Sequence, residues 1–521
     1  MRWILVCAAL VTAAFPAGAT AERPLDRPSD ATVAEWVREA LAADPRVDSG
    51  GVAVAVANGI ATLRGSVPTL AGKRFTILTS QRIFGVLGVV DQVEVEAAVR
   101  PDAEIARDVS RRIEWSQSVS GREIEVSSKA ATVRLDGAVQ SWSQRLEAEL
   151  LAAEVRGVRA IDNQLMPRIE PTRSDREIQS DVAAALRRDA YLVGLPIEAA
   201  VVNGRVQLSG IVSSPYERTR AATQAGRVSN VRGVDNLLAV EWWPDRSTRV
   251  APPVPRSDED LEAIVRDELV QDDRIDASGI AVTSSKGHVT LSGTVPSAGQ
   301  RRLAAEDARA VVAVAWITNH LRVDFTKRPD EEVKRELEQI LASDSVLSES
   351  EITIAVEDGV VTLVGDVDSG YHRAHAAAIA SRVRGVHDVV NQLQSTAVQR
   401  AADAALALEI ARRLKRDWRT GPVSDRIDVG VEIGVVTLVG DVDRLAERRA
   451  ARRIASRTPG VRYVHNRLRV DPFPYPWDDP AEDDDAVPDS WYWDLPELPW
   501  IAWVGRLPGF GPIRGDRVSG G

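Results

Sequence analysis

The stretch Glu432-Ile-Gly-Val-Val-Thr-Leu-Val-Gly-Asp-Val442 decides the fold, because it turns, alternates and repeats. Its first glycine follows a strand in which Ile427, Val429 and Val431 alternate with polar or small residues, and the two halves together predict a β-hairpin. The core of the stretch, Gly-x-Val-Thr-Leu-x-Gly, recurs from Gly59, Gly287, Gly359 and Gly434. Divergent copies start at Gly204 and Ala131. The closing glycines fall at 65, 137, 210, 293, 365 and 440, so the 521-residue chain contains one unit six times over.

Working outward from each hairpin gives the rest of the unit. Upstream, apolar triplets spaced by four predict a helix with one apolar stripe, as in Val33/Val37/Leu41, Ile105/Val109/Ile113 and Leu406/Ile410/Leu414. Ser29, Ser174 and Ser257 stand where helix N-caps belong. Downstream, an Ala- and Arg-rich helix runs to Gly85, Gly157, Asn230, Ala313, Gly385 or Gly460. Glycine and asparagine there suit a left-handed cap, and Ala313 predicts a distorted one. A last strand carries Asn-x-Leu, for example Asn391-Gln-Leu393. The fold expected is α+β: a tandem array of six small α-β-β-α-β units. Each is a three-stranded mixed sheet covered on one face by two helices.

The resulting organisation places repeats at 29–98, 101–169, 174–243, 257–326, 329–396 and 403–471, with a Pro-rich linker at 244–256 between the third and fourth. At the N-terminus, Arg2 followed by the apolar run Trp3 to Phe15 and Ala19-Thr-Ala21 reads as a cleaved signal peptide, 1–21, which puts the mature chain in the periplasm. The single cysteine, Cys7, falls inside that leader, which excludes a disulfide framework and a cysteine-based metal site. Residues 472–521 form an acidic tail rich in Pro and Trp, with ten acids against three bases. It therefore supplies seven of the chain's eleven net negative charges. An acidic chain argues against nucleic acid as the partner.

The hairpin motif, the later Gly-Val and the Asn-x-Leu strand resemble the BON domain, a bacterial family named for osmotic-stress periplasmic and nodulation proteins. The resemblance covers residues 29 to 471 and weakens at Ala131, Asn230 and Ala313, and in the first copy, where Asp91 and Val93 replace Asn and Leu. It implies an exported, non-catalytic envelope protein that contacts phospholipid membrane surfaces or other envelope proteins. Cofactors are not expected, and no catalytic motif is present in the sequence. His372 and His375 share a helix face but lack further ligands nearby in sequence, so a solvated face is expected over a metal site.

Three binding surfaces stand out. Trp142, Tyr216 and Tyr371, with Leu70 and Leu445, begin the second helices and read either as wedges into a lipid interface or as staples onto their own sheets. Arg448, Arg449, Arg452 and Arg453 form a cationic helix face suited to anionic lipid, or an ordinary solvated face. In the tail, Trp491, Trp493, Trp500 and Trp503 suit a membrane interface or a docking partner, while the acids Asp478 to Asp489 are expected to mask the Arg448 to Arg453 face. A protein-interaction scaffold without lipid binding is the alternative to the phospholipid reading.

Overall fold

The computed structural model of the protein describes residues 27–44, 46–119, 124–168, 173–189, 191–242, 257–272, 274–311, 314, 316–324, 327–368, 370–395, 403–432, 434–442, 445–458, 460–461 and 463–470. The leader, the Pro-rich linker, Ala313 and the tail with its tryptophans lie outside the described residues.

Each unit opens with a helix: Asp30–Ala43, Asp102–Trp115, Asp175–Arg188, Asp258–Gln271, Asp330–Ser343 and Asp403–Arg416. The predicted triplets are the buried stripe, as with Val33, Val37 and Leu41 in the first. The helix-start aspartate has a second task. Asp30 accepts the backbone N–H groups of Asn58 and Gly59, and Asp175 those of Asn203 and Gly204. Asp102, Asp258 and Asp330 hold the corresponding turns. One carboxylate thus ties the first helix to the hairpin turn, and the two turn amides hold Asp30 below the usual carboxylate range.

The hairpin pairs antiparallel, Val52 opposite Gly65, and the third strand joins the other side of the hairpin's second strand in parallel, Ile60 opposite Gly88. That strand runs unbroken in units 1, 4 and 6 and in two pieces in units 2, 3 and 5. The closing glycine is required sterically. Gly293 has φ +115°, and a Cβ there would overlap the carbonyl oxygen of Gly279, the residue just before the neighbouring strand; Gly440 meets Arg426 in the same way.

The second helices are Leu70–Gln81, Trp142–Ala153, Pro215–Arg227, Ala298–Ala310, Gly370–Arg382 and Leu445–Ser456. The left-handed residues are present, with Gly85 at φ 92°, Asn230 at 70° and Gly460 at 96°, but they lie three or four residues past the helix end. The residues between do something the helix-cap reading did not include. Ile83 bridges Asp417, Ser116 bridges Val383, Val155 bridges Asp344, Asp189 bridges Val311 and Val228 bridges Asp272. Unit 1 therefore pairs with unit 6, unit 2 with unit 5 and unit 3 with unit 4.

Lateral contacts complete the body. Units 1 and 2 meet through Arg74 and Glu149, 2.7 Å apart, units 2 and 3 through Ser143 donating to the Gly226 carbonyl, and units 1 and 3 through Phe84 against Trp242. Unit 4 likewise contacts unit 5 through Arg301 and Asp388, and unit 6 through Arg449, which donates to the carbonyls of Arg309 and Val314. The units pack as two facing sets of three, with second helices inside and the sheets' second faces outside. Several of the small cores are extended by their neighbours: the first unit's cluster includes Tyr216 and Trp418 of units 3 and 6, and that of unit 2 includes Leu70.

Candidate functional site

The richest concentration of chemistry is the layer where second helices meet. At the pair of units 2 and 5, Arg112 Nη2 lies 2.6 Å from Glu154 and 2.9 Å from Asp344. His375 Nε2 lies 3.1 Å from Asp344, and Arg382 Nη1 lies 3.3 Å from Glu154. All five side chains are buried, Asp344 completely. Burial works to raise the Asp344 pKa, but His375 and Arg112 overcome it and hold the carboxyl well below its ordinary range. Glu154 is lowered in the same way, with Arg382 and Arg112 outweighing burial.

Asp344 follows the first helix of its unit, and the equivalents repeat the arrangement. Asp44, Asp189, Asp272 and Asp417 are all buried or nearly so and take Arg46, Arg220, Arg274 and Arg453 respectively. Asp189 also accepts the backbone N–H groups of Tyr191 and Leu192, and Asp417 those of Arg419 and Thr420. The sequence signal was available: an aspartate 21 residues before the closing glycine in units 1, 3, 4 and 5, and 23 before it in unit 6, with Ser116 in unit 2. Asp307 differs. Burial and the adjacent Asp272 carboxylate push its pKa well up, against the pull of Arg227 and Arg274.

The expected binding residues are brought into this interior. Tyr216 is fully buried, 5.3 Å from the Trp418 ring and under the Arg82 guanidinium at 4.7 Å. Tyr371 packs edge-on to Phe75 of unit 1 and stacks on His375. Trp142 is half-buried over Gly226 of unit 3, where a Cβ would come within 2.9 Å of the ring. These side chains are therefore neither lipid wedges nor staples onto their own sheets. They are contacts between units, because the second helices face one another instead of solvent. Leu70 enters the core of unit 2; the Leu445 side chain lies outside the described residues.

The cationic face of the last helix is corrected too. Arg448 is 3% exposed and donates to the carbonyls of Leu468 and Asn466 on its own third strand. The same helix position is basic in every unit, Lys73, Arg145, Arg218, Arg301 and Arg373 being the others. It fastens helix to strand, as when Arg145 donates to Asn163 and Leu165. The Asn of Asn-x-Leu returns the bond, Asn466 donating to the Arg448 carbonyl. Arg449 reaches unit 4, and buried Arg453 reaches the Tyr191 hydroxyl of unit 3 at 3.2 Å. Arg452 is half-buried. Arg448, Arg449 and Arg453 thus have three separate interior tasks in place of one solvent-facing patch; the expected masking acids, Asp478 to Asp489, lie outside the described residues.

His372 and His375 lie on the same helix as expected, but on an interior face: burial lowers the His372 pKa, and His375 bonds Asp344. Among the described residues no group of three or more His, Cys, Asp or Glu is placed to hold a metal ion. Among them too, no helix is long and apolar enough to cross a membrane.

Six hairpin units joined by an ionic helix layer define a tandem-repeat α+β protein with a buried polar interior. The chain belongs to the BON domain family, which matches it at residues 29–97, 101–166, 174–241, 257–324, 329–397 and 402–472. It is 32% identical over 145 residues to the osmotically-inducible protein Y of Escherichia coli K12, covering 26% of this chain and 72% of that protein. An uncharacterized protein from the gshII 5' region of Anaplasma centrale is 30% identical over 126 residues, 23% of this chain and 82% of the relative. Among solved structures, the C-terminal domain of CdsD, a type III secretion structural protein of Chlamydia trachomatis, aligns over 37% of this chain and 90% of its own. The identity is 15% and the TM-score 0.12, too low to carry an argument.

Proposed function

We propose that this is an exported, non-catalytic stress protein of the cell envelope, in which six BON units form a rigid body and contact with phospholipid is delegated to the tail. The observation that carries the reading is that Tyr216, Tyr371 and Arg453 pack between units while Arg448 is buried against its own third strand. The second helices cannot both hold the body together and lie on a membrane. The tail's Trp491, Trp493, Trp500 and Trp503 supply the interfacial aromatics that the repeats do not spare. Kinship with an osmotically-inducible protein supports the stress role, and the sequence-read leader supports a periplasmic location.

Co-sedimentation with phospholipid vesicles tests this. Residues 22–521 should sediment with vesicles and residues 22–471 should remain in the supernatant. Equal sedimentation of both would return lipid contact to the repeats. If neither sediments and crosslinking in the envelope recovers one discrete protein, the chain is a scaffold for other envelope components.

A further inference from the structure

The first strand of every hairpin ends its sheet, and among the described residues no ladder lies on its outer side. Which backbone groups point outward there follows from the turn. In unit 1 the two-residue loop Asn58-Gly59, with both residues at positive φ, makes Ala57 and Ile60 the closing hydrogen-bonded pair. Ala53 and Ala55 then face the second strand as well, and Val52, Val54 and Val56 direct their N–H and C=O groups outward. Unit 4 shows the same parity. Ser284, the counterpart of Val56, donates its backbone N–H to the Glu262 carboxylate at 2.8 Å and not to the sheet.

An open edge invites pairing with another strand, and five of the units carry a device against it. Glu125 and Lys129 in unit 2, Glu198 in unit 3, Glu357 in unit 5 and Asp428 in unit 6 stand exposed along their first strands, and Glu262 covers the edge amide in unit 4. Unit 1 has neither. Its strand reads Val52-Ala-Val-Ala-Val-Ala57, without charge or proline, and Ala34 stands where unit 4 has Glu262. The valines are half-buried against the core and the alanines are exposed on the outer face.

Charge and symmetry decide what fits this edge. A two-fold axis through Val54, perpendicular to the sheet, sets Val54 opposite Val54 of a second copy, Val52 opposite Val56 and Ala53 opposite Ala55. Valines then meet valines on the helix side and alanines meet alanines on the outer side, with about six backbone hydrogen bonds formed between the outward groups. The same operation brings a charged strand against its own charges, which disfavours self-pairing in units 2, 3, 5 and 6. A charged foreign strand, conversely, finds no counter-charge on Val52–Ala57. We propose that Val52–Ala57 pairs antiparallel with the same strand of a second copy of this chain, so that two first units share one continuous sheet. The pairing does not depend on whether the protein meets lipid.

Sedimentation equilibrium on residues 22–521 should give a mass that rises with concentration from monomer toward dimer. Ala53→Lys/Ala55→Lys places like charges opposite one another across the axis at two exposed positions, and should leave a monomer with the parent's melting temperature. The mature chain without Cys7 has no thiol, so Ala57→Cys can carry a spin label as the only cysteine. Ala57 falls opposite residue 51 of the second copy, and the offset at about 3.4 Å per residue separates the two labelled backbones by roughly 20 Å. A narrow distance distribution near that span is expected. Should the lysine variant fail to fold, the label distance decides alone. A monomer at every concentration, a dimer that survives the lysine substitutions in a folded chain, or a label distribution that is broad or centred elsewhere overturns the proposal.

Discussion

Asp344 has no exposed surface and holds Arg112 from unit 2 and His375 from its own unit. Removing it leaves a buried guanidinium short of its counter-charge, a loss that costs about 3–5 kcal/mol where measured. Asp344→Ala should lower thermal stability by that order, while the outer Arg134→Ala should leave it nearly unchanged, because the Arg134 ion pairs are exposed to solvent. Calorimetry on both variants checks the contrast. The pH dependence follows from the same groups. Asp44, Asp189, Asp272 and Asp344 all have folded pKa values below the ordinary 3.8, Asp44 at about 2. A depressed carboxyl contributes stability that is complete above its unfolded pKa and disappears as pH falls through the folded one. The body should accordingly be indifferent to acid down to about pH 5 and lose stability steeply below about pH 4. Asp307 runs the other way. Its raised pKa means a contribution present below the unfolded pKa and lost as pH climbs through the folded value, so Asp307→Asn should remove that loss from a stability-versus-pH curve.

At the scale of elements, the hairpin was legible and the faces of the second helix were not. Gly440 is dictated by a backbone contact inside its own unit, so nothing elsewhere can relieve it and the residue marks every copy. Gly440→Ala must move a strand, and a loss of at least about 2–3 kcal/mol is expected, read as early unfolding of unit 6 by hydrogen exchange. Asp175→Ala should cost about 1–2 kcal/mol, since it gives up the amides of Asn203 and Gly204 at the turn it clamps. The second helix is different because its Arg and Glu residues look solvated until the partner helix is known. Arg448 shows the difficulty: a cationic face and a helix-to-strand fastening have the same sequence. Its partner Asn466 was visible only as part of a family motif. The paired acids after the first helix were missed for a related reason, since a lone aspartate at a helix end is unremarkable until its spacing to the closing glycine is compared across copies.

The whole molecule is organised by the pairing of unit 1 with 6, 2 with 5 and 3 with 4. Sequence reading supplied the six units but left open whether they hang separately, since contacts between distant units leave no periodic trace. Packed this way, the units share their cores, and Trp418 of unit 6 belongs to the cluster of unit 1. A protease site placed in 244–256 should therefore be cuttable without separating the fragments. Gel filtration at neutral pH is expected to return one particle of unchanged size, and two half-sized particles would show that the facing sets of three do not hold each other.

That pairing also fixes a timetable. The first unit made is the last to find its partner, because Asp417 and Trp418 follow Ile83 by more than three hundred residues. Until the final repeat is delivered, unit 1 must wait with Ile83 unbridged, and a truncated transcript yields a product with a sticky beginning. The protein thus carries its own proof of completeness: only a chain translated to its last repeat can cover its first.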